Sequence, residues 1–211
     1  MKIRFIGDVH GKWSKYKTLI KGCDRSLQVG DFGVGFIDPK TEKPHSSPPY
    51  DAMSKGEHFF VRGNHDSPGA CKRHPYWVKD GGSVFGRGDI FCVGGAYSID
   101  RDRRTERYDW WPDEELSYGE LSNIMDAYEL VKPKIVVTHE CPDSVISLVC
   151  HKIGKQKFDI PSVTRRCFDN MLETHKPELW IHGHWHFDHH TVQNGVEFIG
   201  LGELSFLDLD V

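Results

Sequence analysis

Phe59-Phe60-Val61-Arg62-Gly63-Asn64-His65-Asp66 runs from an apolar, β-type segment into a polar tetrapeptide, so it reads as a strand over residues 59–62 that ends and turns into a loop. Gly63 is expected to supply the backbone freedom for that turn. Asn64 offers an amide oxygen that can meet a metal or phosphate, His65 an imidazole that can move a proton, and Asp66 a carboxylate that can orient the imidazole. Alone, this stretch is equally an ordinary polar turn. Its meaning depends on whether the other strand ends also carry ligands.

They do. Upstream, residues 2–7 read as a strand closing on Gly7-Asp8-Val9-His10-Gly11, where Asp8 and His10, two apart, leave an extended backbone on the same side. Trp13, Tyr16, Leu19 and Ile20 recur at helical spacing before Gly22, and residues 26–29 form a second strand ending in Gly30-Asp31-Phe32-Gly33. Downstream, residues 134–138 lead into His139-Glu140-Cys141-Pro142, and residues 179–182 into Gly183-His184-Trp185-His186. This is the pattern of an α/β fold whose ligand sites gather at the carboxyl edge of its strands.

Between these strands, residues 76–78, 83–85 and 90–93 suggest a β-meander. Ser117 and Glu120 fit a capping box, with Leu121, Ile124, Met125 and Tyr128 as the buried helix face, and a second helix is expected over residues 164–174. Residues 191–193 and 196–199 suit a hairpin around Asn194-Gly195. Two segments break the rhythm. Residues 33–57, with Pro44, Pro48 and Pro49, read as a long loop with one short turn near residues 50–53, either a lid or a solvated insertion. Residues 95–118 hold a cluster of Arg101, Arg103, Arg104 and Arg107 followed by Trp110 and Trp111, a candidate cap that either clamps a phosphorylated ligand or packs its aromatics and solvates its charges.

The chain has 211 residues, 38% hydrophobic and 27% charged, which suits a single domain spanning residues 1–211. A net charge of -4 gives no electrostatic footprint for a long nucleic-acid groove. The apolar runs are strand-sized, and residues 1–4 enter a strand without an apolar leader, so neither a membrane span nor export is expected and the location is expected to be cytoplasmic. Six cysteines without a Cys-x-x-Cys pair suit reduced core thiols. Of 13 histidines, His45, His58, His74, His151 and His175 read as ordinary polar residues, His182 as a strand residue beside a ligand, and His189 and His190 as leading into the hairpin.

Asp8, His10, Asp31, Asn64, His139, His184 and His186 all follow predicted strands and include no thiol. Such ligands suit manganese, iron or zinc in a site open to water. Seven ligands exceed the need of one ion, and one bridging carboxylate between two ions uses them all.

These blocks, in order Asp8-Val9-His10, Gly30-Asp31, Gly63-Asn64-His65-Asp66, His139 and Gly183-His184-Trp185-His186, resemble the calcineurin-like metallophosphoesterase family, and residues 62–68 and 94–104 are similar to its small bacterial and phage members. Against the protein-phosphatase and dinucleoside-tetraphosphatase branches, Asp31 is followed by Phe32-Gly33 in place of Asp-Arg-Gly; the compact Gly-His-x-His is similar to the phosphodiesterase-like branch. The resemblance implies a four-layer α/β/β/α sandwich of two mixed sheets. It implies Asp8, His10, Asp31 and His186 around one divalent ion, and Asp31, Asn64, His139 and His184 around the other. Manganese is expected first, with Fe, Zn, Ni or Co as alternatives. Two ions about 4 Å apart polarise the phosphoryl oxygens and turn a bridging water into hydroxide for in-line attack. His65 is then expected to protonate the departing oxygen or steady the transition-state charge, with Asp66 fixing its tautomer.

The expected activity is thus metal-dependent phosphoester hydrolysis of a small phosphorylated substrate, such as a nucleotide, with a phosphodiester ahead of a phosphomonoester or phosphoprotein. The competing class is a catalytically inactive metal-binding scaffold, which substituted ligands or a missing His65 would betray; neither occurs. Arg104 is the expected phosphate contact, because a guanidinium engages two oxygens at once.

Overall fold

The computed structural model describes residues 1–44, 47–152, 154 and 160–211; His45 lies outside them. A four-stranded mixed sheet has the order β12-β1-β2-β5, formed by β1 (Lys2–Ile6), β2 (Arg25–Gln28), β5 (Glu57–Phe60) and β12 (Phe206–Asp210). A six-stranded mixed sheet has the order β10-β11-β9-β8-β7-β6, formed by β6 (Gly82–Val84), β7 (Arg87–Val93), β8 (Ile135–Thr138), β9 (Leu179–His182), β10 (His189–Gln193) and β11 (Val196–Gly200). A small hairpin pairs β3 (Ile37–Asp38) with β4 (Lys43–Pro44).

Strand alternation builds three apolar layers. Ile3, Phe5 and Leu27 of one sheet meet Ile90, Cys92, Ile135, Val137 and Ile181 of the other in a buried inter-sheet core. The opposite-facing neighbours Phe91, Val93, Val136, Trp180 and Phe198 pack against α4 (Tyr118–Val131), α5 (Asp143–Lys152) and α6 (Val163–Thr174). On the far side, Ile6 and Phe60 pack against α1 (Trp13–Ile20), α2 (Tyr50–Met53) and α3 (Pro68–Cys71). Period-2 side chains facing two apolar neighbours give the expected α/β/β/α sandwich.

Local signals explain most boundaries. The Ser117 side chain accepts from Glu120 N while Glu120 bonds back to Ser117 N, so the capping box starts α4 as anticipated. One expectation needs correction, and two elements were not anticipated. Residues 76–78 do not join a meander: Phe60 N donates to Tyr76 O and Val78 N to Phe60 O, so the segment lies against the open edge of β5. The helix α5 was not anticipated, because its core residues Val145, Ile146 and Val149 are β-branched and weak helix formers; burial against α6 and the sheet overrides propensity. Nor was β12, which pairs antiparallel with β1 from Lys2↔Asp210 to Ile6↔Phe206.

The two irregular segments meet. Ile37 N donates to Tyr108 O at 2.8 Å, and Phe36 packs on Trp111 with ring centroids 6.1 Å apart. The short turn expected near residues 50–53 is α2. All six cysteines are free and five are buried, as reduced core thiols should be.

Candidate metal centre

Each candidate ligand sits just past a strand's carboxyl end, where the backbone must turn sharply. His10, Asp31, His184 and His186 all have positive φ, between 48° and 68°. For non-glycine residues that conformation costs on the order of 1–2 kcal/mol apiece. Neighbouring bonds hold it: Val9 N and His10 N both donate to Asp31 O, and His184 N donates to the Asp8 carboxylate at 3.2 Å. Gly63 is not among the positive-φ glycines, which corrects the reason expected for it. What it supplies is space: a Cβ there would collide with the Asp31 carboxylate and backbone.

The loops gather the side chains into two groups that share Asp31. In one, Asp8, His10, Asp31 and His186 offer ligand atoms within 4.8 Å of one another; in the other, Asp31, His139 and His184 do so. His186 Nε2 lies 3.0 Å from Asp8 Oδ2, and His10 Nε2 lies 2.9 Å from His186 Nε2. In the second group His139 Nε2 stands 3.2 Å from Asp31 Oδ1 and 3.1 Å from Asn64 Oδ1. All seven candidate ligands therefore converge on one edge of the sandwich.

Two features suit this donor set to cations. Nitrogens as close as those of His10 and His186 must share a proton or a cation between them. Burial alone would raise the Asp31 carboxyl, yet His139, His65 and His10 around it hold it well below the usual carboxylate range. Burial likewise opposes charge on His139, but Asp31 carries its pKa up to about 10. A divalent ion would replace such a proton. Oxygen and imidazole donors with no thiol fit manganese, iron or zinc.

Asn64 is oriented from outside the cluster. Its Nδ2 donates to Ser98 Oγ at 3.0 Å, and Ser98 Oγ donates to Glu114 Oε2 at 2.5 Å. The amide oxygen is thereby turned toward His139. Ser98 and Glu114 belong to the irregular segment 95–118, and neither was singled out from the sequence. A buried acid three residues after a tryptophan pair was the only local signal.

His65 stands beside the ligands, with its ring edge-on to His10 at 4.9 Å and stacked on Phe36 at 5.8 Å. Burial, opposed by Asp31 and reinforced by Arg104, pulls its pKa down to about 4. Arg104 Nη2 lies 2.7 Å from His65 Nε2 and also pairs with Asp100 at 2.7 Å. The nominated arginine is thus at the cleft. Asp66 departs from its expected role. Its Oδ1 accepts from Gly33 N and Val34 N at 2.6 and 2.8 Å, and its Oδ2 from Phe32 N and Gly63 N at 3.0 and 2.8 Å. With both oxygens committed to backbone N–H groups, Asp66 ties the Asp31 loop to the His65 loop and does not orient the imidazole.

Next to His139, the Glu140 carboxylate accepts from Arg165 Nε at 2.8 Å and Trp185 Nε1 at 2.9 Å. His182 is fully buried against His189, with ring centroids 4.9 Å apart, and His189 and His190 lie within β10. His58 bonds Ser26 Oγ and His175 bonds Pro133 O, each at 2.9 Å, as ordinary polar residues do. His74 is less conventional: it packs among Phe32, Phe60 and Tyr50, and its Nε2 has no hydrogen-bond partner. A cleft of about 340 Å³ opens over the cluster, lined by Asp31, Asn64, His65, Arg104, His184 and His186 among others.

No curated protein is significantly similar to the chain in sequence. Among solved structures, a Staphylococcus aureus protein assigned as a 5'-nucleotidase superposes with a TM-score of 0.55 at 14% identity, over 100% of this chain and 51% of that one. The phosphopantetheinyl hydrolase of Mycobacterium tuberculosis superposes with a TM-score of 0.50 at 15% identity, over 96% of this chain and 89% of that one. At such identities the likeness is one of fold. The sequence itself is decisive at the family level, since residues 1–188 match the calcineurin-like phosphoesterase profile, and the chain therefore belongs to the calcineurin-like phosphoesterase family.

Proposed function

We propose that this metal-dependent phosphoesterase is a binuclear phosphodiesterase. The observation that carries the reading is the pair of ligand groups sharing Asp31 beside His65. On this reading Asp8, His10, Asp31 and His186 hold one divalent ion, and Asp31, Asn64, His139 and His184 the other, with manganese proposed first. Bound there, the ions supply Lewis acidity to the phosphoryl group and to an attacking water. Arg104 contributes a forked pair of donors to the non-bridging oxygens. A neutral His65 offers one N–H as a hydrogen bond to the departing oxygen. For full proton transfer the approaching anion raises its pKa, the ring takes up a proton from solvent, and the imidazolium gives that proton to the departing oxygen and returns to the neutral form.

Charge supports a diester over a monoester. Among the described residues, the arginines lining the cleft are Arg104, paired with Asp100, and Arg165, paired with Glu140. That leaves little net positive charge beyond the ions, which suits a monoanion better than a dianion. The free thiols agree with a reducing compartment, and a cytoplasmic location is proposed on that ground.

The test strips the protein with chelator, restores Mn, Zn or Mg separately, and compares turnover of a bis-nitrophenyl diester with the monoester. Metal-restored diester turnover lost in both His65→Ala and Asp31→Asn supports the reading. A monoester preference moves the assignment to a phosphomonoesterase, and two bound ions without turnover of any phosphoester favour a scaffold.

A further inference from the structure

We propose that the buried pair Glu140–Arg165 is a positioning device for His184, and through it for the ligand group of Asp31, Asn64, His139 and His184; this rests on the metal-site reading above. Glu140 follows His139 at the end of β8 and is fully buried. Its Oε1 accepts from Cys141 N and from Trp185 Nε1, both at 2.9 Å. Its Oε2 accepts from Arg165 Nε at 2.8 Å and faces His184 Nε2 at 3.6 Å. One carboxylate thus contacts the segment bearing His139, the turn bearing His184, and α6.

A buried ion pair is by itself weak ground for stability. Arg165 lies at the cleft wall but is only 1% exposed, and an ion pair so little hydrated repays its desolvation only with good geometry; apolar side chains of similar volume often serve a core as well. The Arg165 Nη2 even lacks a hydrogen-bond partner, a further cost. What the pair accomplishes is local. The turn 183–186 carries two non-glycine residues at positive φ, His184 at 68° and His186 at 51°, so it requires anchors. The Asp8 carboxylate anchors its backbone at His184 N, and Glu140 anchors its side chains through the Trp185 indole. The Arg165 guanidinium, 5.4 Å over the Trp185 ring, closes the arrangement from the other side.

A carboxylate facing one ring nitrogen of a histidine sets the ring's tautomer and leaves the other nitrogen for a metal; removing such a partner lowers metal affinity about ten- to hundredfold. Glu140 Oε2 faces His184 Nε2 at 3.6 Å, longer than a hydrogen bond, so its hold on the ring in this arrangement is electrostatic and is passed on through the neighbouring Trp185 indole. A small inward shift of the ring on taking a metal would make it that partner. His10 and His186 lie in the other group and face each other, and His186 is 46% exposed. Loss of Glu140 should therefore weaken one ion selectively.

The experiment titrates chelator-stripped full-length protein with Mn²⁺ alone, counting free ion by electron paramagnetic resonance. It compares wild type, Glu140→Gln, and the double variant Glu140→Gln with Arg165→Met. Because the single variant strands a buried guanidinium and can fail to fold, the double variant, which removes both charges, keeps the test open; the melting midpoint of each metal-free protein is read separately. Expected is a drop of about ten- to hundredfold in affinity for one of two ions, with the other within about threefold of wild type. Two-ion binding unchanged in the folded double variant overturns the role of Glu140, as does equal weakening of both ions, which marks general loosening. A wild-type protein that binds no Mn²⁺ overturns the metal-site reading itself, and this inference with it.

Discussion

The Arg104 guanidinium lies against the His65 imidazole, with Nη2 2.7 Å from Nε2 and Nη1 3.1 Å from Nδ1. A neutral imidazole has one acceptor nitrogen and so accepts from one of the two guanidinium nitrogens, and burial together with the Arg104 charge keeps the ring neutral. Arg104→Ala should lower kcat/KM for the diester by about ten- to hundredfold, the range of one lost charged hydrogen bond, while bound metal per chain stays unchanged. Steady-state kinetics with metal analysis checks this; wild-type kinetics would remove Arg104 from the site.

Asp66→Asn separates two roles. An amide offers only one acceptor atom, so two of the four backbone N–H groups that Asp66 now satisfies would face an NH2 group. The expected cost is about 2–4 kcal/mol, or a drop on the order of 5–15 °C in melting temperature for a chain of this size. Calorimetry decides: a large loss of turnover at an unchanged melting temperature would restore Asp66 as the partner that orients His65.

Ser98→Ala should act on metal binding from outside the ligand set. Without the Ser98 hydroxyl, the Asn64 amide loses the acceptor that turns its oxygen toward His139. Affinity for one ion should fall by about two- to tenfold, the value of one neutral hydrogen bond. Mn²⁺ titration of the variant checks it, and unaltered binding of both ions would show that Ser98 does not orient the amide.

Asp208 gives the fold a defined acid sensitivity. Hydrogen bonding to Arg4, at 2.7 and 2.8 Å, with Lys2 adding to it, holds the Asp208 carboxyl down at about 2. A folded pKa below the unfolded value means that the contribution is complete above about pH 4 and is lost as pH falls toward 2. After screening at this partly exposed site it should amount to about 1 kcal/mol. Asp208→Asn should therefore melt a few degrees lower than wild type at pH 7, roughly 2–4 °C, and the gap should close by pH 2. A gap that persists at pH 2 would assign the effect to packing of β12 on β1.

Much of this molecule can be read locally. An apolar run of four to six residues followed by Gly, Asp, Asn or His marks a strand end, and the candidate ligands Asp8, His10, Asp31, Asn64, His139, His184 and His186 lie within a few residues of such ends. The capping box at Ser117 and the Asn194-Gly195 hairpin are equally local, since their partners lie within a few residues. The helix α5 was hidden because its β-branched residues argue for a strand, and only the buried face against α6 settles it.

By itself, then, the sequence determined the order of strand-end motifs, the donor chemistry they carry and the fold that order implies, because short-range periodicity and turn chemistry control where each strand stops. The tertiary structure alone decided which groups meet: His184 with Asp8 across 176 positions of chain and His186 beside it, Asp66 with the Phe32–Val34 backbone rather than His65, Glu114 behind Ser98 and Asn64, and Arg165 behind Glu140. A buried polar group bonds whatever the folded loops bring within about 3 Å, and no periodicity along the chain encodes that distance.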